Sequence, residues 1–305
     1  ATTEIYTLSP TRRSSDLDRY HKEHAENMLQ LGISFDLFTR TTTVNHEATV
    51  QEIFLDLYQK KLIYKKSIDA FICPTCGRSL PDRYVEGTCP HCNYPEARGD
   101  QCDNCGKLLD PGDLISIRCK LCGSTPVKQK TEHLFFALSG FEGQLQGWLK
   151  DKTFWKPNVL KFTNNWLAGG LKDRAVTRDI SWGIKVPVFG FETKRIYVWF
   201  DAVIGYLSAS KEWAKKQHAP TRWQEWWTDP AAKTYYFLAK DNIPFHSIIW
   251  PSILLGYGHD LNLPYDIPAN EYLTLSGEQF SKSRGIGIFV PDILKRFDAD
   301  VIRYY

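Results

Sequence analysis

The sequence predicts an α/β fold, a parallel sheet with helices, interrupted by a small metal-binding insertion. Three observations carry this reading. Short apolar runs alternate with helical patterns over residues 131–305, as β-α-β units require. All eight cysteines fall between Cys73 and Cys122, and every one belongs to a C-x-x-C pair. Hydrophobic residues make up 43% of the chain, yet no apolar run approaches the ~20 residues that cross a bilayer, so no membrane partner is expected.

Taken in order, residues 1–17 show no periodicity and read as a disordered or non-native leader. Residues 18–69 form a helical part. Within it a helix begins at Asn45, a residue type suited to the N-cap, and Val50, Ile53, Phe54, Leu57 and Tyr58 give it one apolar face. At Ile68-Asp69-Ala70-Phe71-Ile72 the character changes, and residues 70–130 form the cysteine-rich insertion. Beyond it, Ile196 to Phe200 reads as a buried strand followed by a helix through Tyr206, Leu207 and Trp213, with Asp201 suited to cap it. Thr234 to Ala239 reads as a second strand. The helix from Pro244 should kink or end at Pro251, which lacks an N–H and clashes with the preceding turn. Tyr272 to Leu275 reads as a third strand, then a Gly/Ser loop, then a helix near Pro291. Parallel sheets bind ligands at the carboxyl ends of their strands. That directs attention to Trp199–Ala202, Lys240–His246 and Ser276–Gly287.

The cysteine pairs are Cys73/Cys76, Cys89/Cys92, Cys102/Cys105 and Cys119/Cys122. Two pairs supply the four thiolates of a tetrahedral zinc site, with Zn–S bonds of about 2.3 Å, so four pairs make two closed, structural Zn²⁺ sites. Pairing in chain order and nested pairing use the same ligands, and spacing does not choose between them. Gly77 and Gly106, each following a second cysteine, suit tight knuckle turns. Thiol pairs in a chain without an export signal also point to a reducing, cytoplasmic compartment. A net charge of +3, with both signs interspersed, neither requires nor excludes a nucleic-acid partner.

The loop Gly277-Glu278-Gln279-Phe280-Ser281-Lys282-Ser283-Arg284-Gly285 sets a lysine between two hydroxyls and between glycines. Such a lid can close over phosphates and stabilise charge on a departing pyrophosphate. Phe280-Ser281-Lys282-Ser283-Arg284-Gly285 resembles the Lys-Met-Ser-Lys-Ser loop of class I aminoacyl-tRNA synthetases. Tyr197-Val198-Trp199-Phe200-Asp201-Ala202-Val203-Ile204-Gly205-Tyr206 resembles a segment of the methionyl-tRNA synthetase family in particular. So do Arg178-Asp179-Ile180-Ser181-Trp182-Gly183, Lys240-Asp241-Asn242-Ile243-Pro244-Phe245-His246-Ser247 and Phe297-Asp298-Ala299-Asp300-Val301-Ile302-Arg303-Tyr304-Tyr305. The resemblance runs from about Tyr20 to Tyr305, with these motifs in the family's order.

That resemblance implies a Rossmann-like catalytic domain whose N-terminal part is missing. It also implies a methionine–tRNA ligase activity: ATP, with Mg²⁺, activates methionine to methionyl-adenylate, and the aminoacyl group passes to tRNA(Met). Position by position, Trp199, Ala202, Tyr206 and His246 match residues lining the methionine side-chain pocket; aromatic faces suit a polarisable thioether. Lys240 and Asp241 match positions near the ATP ribose and phosphates. Lys282, flanked by Ser281 and Ser283, matches the second, phosphate-contacting lysine of the mobile loop. Gln279 stands where many relatives carry the first, and Val203 where relatives often have Pro.

The family's His-Ile-Gly-His type signature does not occur in the sequence, the only methionine is Met28, and the C-terminal residues stop inside an apolar pattern. The chain therefore reads as a fragment, without the anticodon domain and inactive alone. Nothing in it signals an oligomeric state. Two other readings compete. Ligases for leucine, isoleucine or valine normally carry a large editing insertion, whereas this insertion is short and cysteine-paired. A zinc-ribbon nucleic-acid-binding module would leave the Lys282 loop and the Lys240–His246 segment unexplained.

Overall fold

The computed structural model describes residues 10–304 apart from 81, 101, 103, 106, 108, 276 and 281–285, with backbone alone at 10–15, 278 and 279. The chain divides into two compact units. The first comprises residues 1–53, 139–171 and 201–305, and the second residues 54–138 and 172–200.

Helix α1 spans Pro10–Gln30 and α2 spans Val44–Gln59. Residues 10–17, which show no pattern in sequence, thus form the first two turns of α1. The cap of α2 is Thr43 rather than Asn45: its hydroxyl oxygen accepts the His46 N–H at 3.1 Å. Asn45 sits inside the first turn and donates its amide N–H to the Ser208 carbonyl at 2.7 Å. Val50, Ile53, Phe54 and Leu57 are fully buried, while Tyr58 lies at the exposed edge of the stripe. Each such side chain contributes about 1.5–3 kcal/mol of apolar burial.

The second unit is antiparallel. Strands β1 (Ile63–Cys73), β2 (Arg78–Leu80), β6 (Val127–Phe136) and β7 (Arg174–Ala175) form one sheet in the order β2-β1-β6-β7. The long β1–β6 ladder keeps register from Ile63↔Phe136 to Ile72↔Val127. Strands β3 (Val85–Thr88), β4 (Ala97–Arg98) and β5 (Ile115–Cys119) form a second sheet, β4-β3-β5. Strands β8 (Thr177–Arg178) and β9 (Arg195–Ile196) form a third.

One polar cluster is built into this unit. Asp179 accepts from Lys194, and its second oxygen lies 3.2 Å from both His133 Nε2 and the Thr131 hydroxyl. The Thr177 hydroxyl accepts the Leu134 N–H at 3.0 Å and sits 2.9 Å from His133 Nδ1. His133 and Lys194 are buried, so Asp179 is the charge that makes burying the lysine tolerable.

The first unit holds α3 (Glu142–Leu149), α4 (Pro157–Ala168), most of α5 (Val198–Lys216), α6 (Gln224–Trp227) and α7 (Trp250–Tyr257). Its one parallel ladder among the described residues joins β10 (Leu238–Ala239) to β11 (Ala269–Asn270), extended by a Tyr235–Asp266 bridge. The predicted strands are therefore shorter than their apolar runs. Arg195–Ile196 ends before α5 begins at Val198, so Trp199 to Ala202 lie on a helix and not in a post-strand loop. Asp201 is inside the first turns of α5 and not its cap. The predicted third parallel strand is instead an antiparallel hairpin, β12 (Thr274–Leu275) against β13 (Glu278–Gln279), turning at Gly277 with φ +82°. The sheets are mixed, not uniformly parallel. The helix after Pro244 passes Pro251 instead of ending there. A π-helical turn at Phe245–Ile249 precedes α7 and changes the carbonyl register just where proline has no N–H to offer. Two short helices close the described chain, α8 (Val290–Leu294) and α9 (Ala299–Tyr304).

Asp179→Ala should destabilise the second unit by about 2–3 kcal/mol, because it strands a buried lysine at a site that is partly screened by solvent. The hydrogen bond from His133, reinforced by Lys194, holds the Asp179 carboxyl well below the usual carboxylate range. A depressed folded-state pKa adds stability that is present above the unfolded value of about 3.9 and lost as pH falls below it. Urea denaturation should accordingly show the wild-type advantage at pH 7 shrinking below about pH 4.

Candidate functional site

Helix α5 presents Trp199, Ala202 and Tyr206 at spacings of three and four, which places them along one helical face. Trp199 belongs to the second unit and sits beside Tyr197 with ring centroids 5.4 Å apart. Ala202 and Tyr206 belong to the first unit, as do Lys240, Asp241 and His246.

Tyr206 and His246 meet at 2.7 Å from hydroxyl to Nε2, and His246 Nδ1 lies 2.9 Å from the Asn242 carbonyl. A carbonyl can only accept, so Nδ1 carries the proton, Nε2 is the acceptor, and the Tyr206 O–H donates. His246 is 5% exposed, and burial pulls its pKa down, keeping the ring neutral. A residue outside the predicted set completes the cluster. Tyr236 is buried, meets Tyr206 edge-on at 4.7 Å, lies 5.5 Å from the His246 ring, and accepts the Trp250 indole N–H at 3.0 Å. The ring N–H groups of His246 and Trp250 and the Tyr206 O–H are thus committed within the cluster. What remains for a ligand is aromatic surface, a half-exposed Tyr206 ring foremost. Beside Ala202, Asp201 is buried, and desolvation pushes its carboxyl up to about 7.

Lys240 and Asp241 follow directly after β10, at the carboxyl end of the parallel pair. Lys240 is held by Glu271 at 2.5 Å, and Asp241 accepts from the Asn242 side chain at 3.2 Å. The predicted loop residues Ser281, Lys282 and Ser283 lie outside the described residues. Gln279 is described only as backbone, in β13.

The cysteines assemble as nested tetrads: Cys73, Cys76, Cys119 and Cys122 in the outer, Cys89, Cys92, Cys102 and Cys105 in the inner. Within each, all ligand atoms lie within 4.8 Å of one another. The Sγ separations Cys73–Cys122, Cys89–Cys105 and Cys92–Cys102 are 3.4, 3.9 and 3.6 Å. Four thiolates at 2.3 Å from a tetrahedral ion would be about 3.8 Å apart, whereas a disulfide needs about 2.05 Å. The donor set fits zinc. Gly77, Asn93 and Gly123, each after a second cysteine, have φ of +62°, +59° and +75°. Asn93 therefore supplies the left-handed turn where no glycine marked it. Ser124 lies 3.1 Å from Cys73 Sγ and 3.0 Å from Cys122 Sγ, and its hydrogen bond draws the Cys73 thiol down to about 6.

The model of the class I tRNA synthetase (M) family matches residues 11–305. The methionine–tRNA ligase of Thermoplasma acidophilum is 55% identical over 288 residues, covering 94% of this chain and 52% of that protein. The ligase of Thermoplasma volcanium is 57% identical over 94% of this chain and 53% of its own length. A Mycobacterium tuberculosis methionyl-tRNA synthetase, solved in complex with methionyl-adenylate, shares the fold with a TM-score of 0.65 at 23% identity. That match covers 96% of this chain and 50% of the other. The chain spans about half the length of the curated relatives it matches.

NMR at neutral pH should find His246 as the neutral Nδ1–H tautomer, with burial holding its pKa below the ordinary imidazole value. Tyr206→Phe should leave that tautomer unchanged, because the Asn242 carbonyl sets it. An Nε2–H tautomer in the wild type would contradict the assignment.

Proposed function

The chain belongs to the class I tRNA synthetase (M) family, and on that premise we propose that the protein containing it is a methionine–tRNA ligase. It activates methionine with ATP and Mg²⁺ to methionyl-adenylate and passes the aminoacyl group to tRNA(Met) in the cytoplasm. The observation that carries the reading is the Tyr206–His246 pair, an aromatic cluster whose ring N–H groups are internally committed. Such a surface favours a thioether, which offers polarisability and no donor. A substrate side chain with its own donors would find few free acceptors, which disfavours polar side chains, while the polarisable aromatic faces favour a thioether over a branched aliphatic chain.

Residue roles follow. Trp199, Ala202, Tyr206 and His246 contact the methionine side chain, with Tyr236 fixing the relative tilt of Tyr206 and His246. Lys240 and Asp241 meet the nucleotide at the carboxyl end of β10, where open α/β sheets bind ligands. Lys282, with the Ser281 and Ser283 hydroxyls, stabilises charge on the leaving pyrophosphate. Methionine's carboxylate oxygen attacks the α-phosphorus of ATP, and the bond to the β-phosphate breaks. The two cysteine tetrads hold one Zn²⁺ each, with no position left open, so their role is to fold the second unit and not to act on substrate.

Two measurements test this. In the full-length gene product, ATP–pyrophosphate exchange should depend on methionine and not on leucine, isoleucine or valine. Lys282→Ala should slow it by roughly a hundredfold or more, the scale of one lost charge-stabilising group; exchange driven by leucine would discard the pocket assignment. Metal analysis should find two zinc ions per chain. Because the inner tetrad closes the short loop from Cys92 to Cys102 and the outer one the long span from Cys76 to Cys119, loading should be ordered. Cys76→Ser should leave one zinc bound, while Cys92→Ser should weaken both sites.

A further inference from the structure

Lys240 and Glu271 occupy equivalent places on two strands. Strands β10 and β11 run parallel with Ala239 opposite Asn270, so the next residue of each, Lys240 and Glu271, emerges at the carboxyl end of the pair. There the Lys240 ammonium lies 2.5 Å from Glu271 Oε2 and 4.7 Å above the Tyr272 ring. Glu271 is held in turn by the Asn158 amide at 3.4 Å, from the first turn of α4. The neighbouring strand residues are fastened by the same turn, with Lys156 Nζ 3.4 Å from the Ala269 carbonyl and 3.2 Å from Asn270 Oδ1. Glu271 is thus presented on a stapled segment, while Lys240 reaches it from a half-exposed position.

A carboxylate at the edge of a triphosphate site is an unusual choice. It repels the ligand and occupies the lysine that would attract it. We propose that Glu271 is a positioning residue that parks Lys240 and sets ATP affinity, releasing the lysine when the nucleotide's phosphates compete for it. The inference rests on the reading of Lys240 as a nucleotide contact. Both partners are substantially solvated, so the pair is weak, and a polyphosphate with several oxygens displaces a single carboxylate without difficulty. Parking keeps the ammonium in one region instead of a spread of rotamers, and Tyr272 beneath it narrows that region further. Each partner also stabilises the other's charge: Glu271 raises the Lys240 pKa, and Lys240 lowers that of Glu271.

The test uses ATP, adenosine and methionine with the full-length gene product. Glu271→Gln should lower the KM for ATP about two- to fivefold, the range of a surface ion pair. It should leave kcat, the KM for methionine and the affinity for adenosine, which carries no phosphate, unchanged. Glu271→Asp, which keeps the charge, should behave as wild type. Lys240→Met should raise the KM for ATP. If Lys240→Met weakens ATP and Glu271→Gln leaves its KM unchanged or raises it, Glu271 does not compete and the inference fails. If Lys240→Met leaves ATP unaffected, the nucleotide role of Lys240 fails instead, and the inference falls with it. Matched thermal melts confirm that the exposed Glu271 substitutions leave the fold intact.

Discussion

The hydrogen bond from Tyr206 to His246 is the constraint around which the candidate pocket is organised. It exists only if His246 is neutral and carries its proton on Nδ1, and both conditions are imposed from outside the pair. The Asn242 carbonyl takes the Nδ1 proton, and burial disfavours the charged ring. Asn242 can reach that position because it closes the short turn after β10, one helical turn before His246. The π-helical turn that carries His246 then delivers the chain into α7, whose Trp250 anchors Tyr236 against both rings. Strand end, irregular helix and aromatic cluster are thus one connected arrangement, so a change at Asn242 would be felt at Tyr206 without touching it.

The second unit obeys a different logic. Its cysteine segment is poor in large apolar side chains, and the buried cluster there is built as much of thiols as of Leu80, Val85, Leu109 and Leu114. Nesting makes one long chain segment close on itself twice, which a hydrophobic core of that size would hold weakly. The Asp179 cluster supplies a further tie, built from charged groups that are useful only when assembled together.

Much of this was legible in the residues. The apolar stripe of α2, the four cysteine pairs and the motif order each rest on a local pattern whose physics is short-range. Nested pairing was not legible, because equal C-x-x-C spacings satisfy either connectivity and only the sheets bring Cys73 to Cys119. Strand lengths were less legible: the run at 196–200 buries only its ends, Ile196 and Phe200, and Trp199 and Phe200 are helical, while the run at 272–275 is largely exposed and Thr274 pairs back across Gly277. Thr43 outcompeted Asn45 as the cap because its hydroxyl reaches the third helical N–H while Asn45 has a tertiary partner in Ser208. Tyr236 was missed since a tyrosine in a Tyr-Tyr-Phe run looks like core, and Glu271 because nothing local ties it to a lysine on another strand. Register Ala239↔Asn270 was the missing signal.

Whether the Tyr206–His246 cluster receives a methionine side chain is decided by the thermal stabilisation of the full-length gene product by a non-hydrolysable sulfamoyl analogue of methionyl-adenylate against its leucyl counterpart. A ligand at a thousand times its Kd adds about 4 kcal/mol to the folded state, enough to raise Tm by several degrees. That rise is expected for the methionyl analogue, with a much smaller one for the leucyl analogue and loss of the difference in His246→Ala. Equal stabilisation by both analogues in the wild type would contradict methionine binding at this cluster.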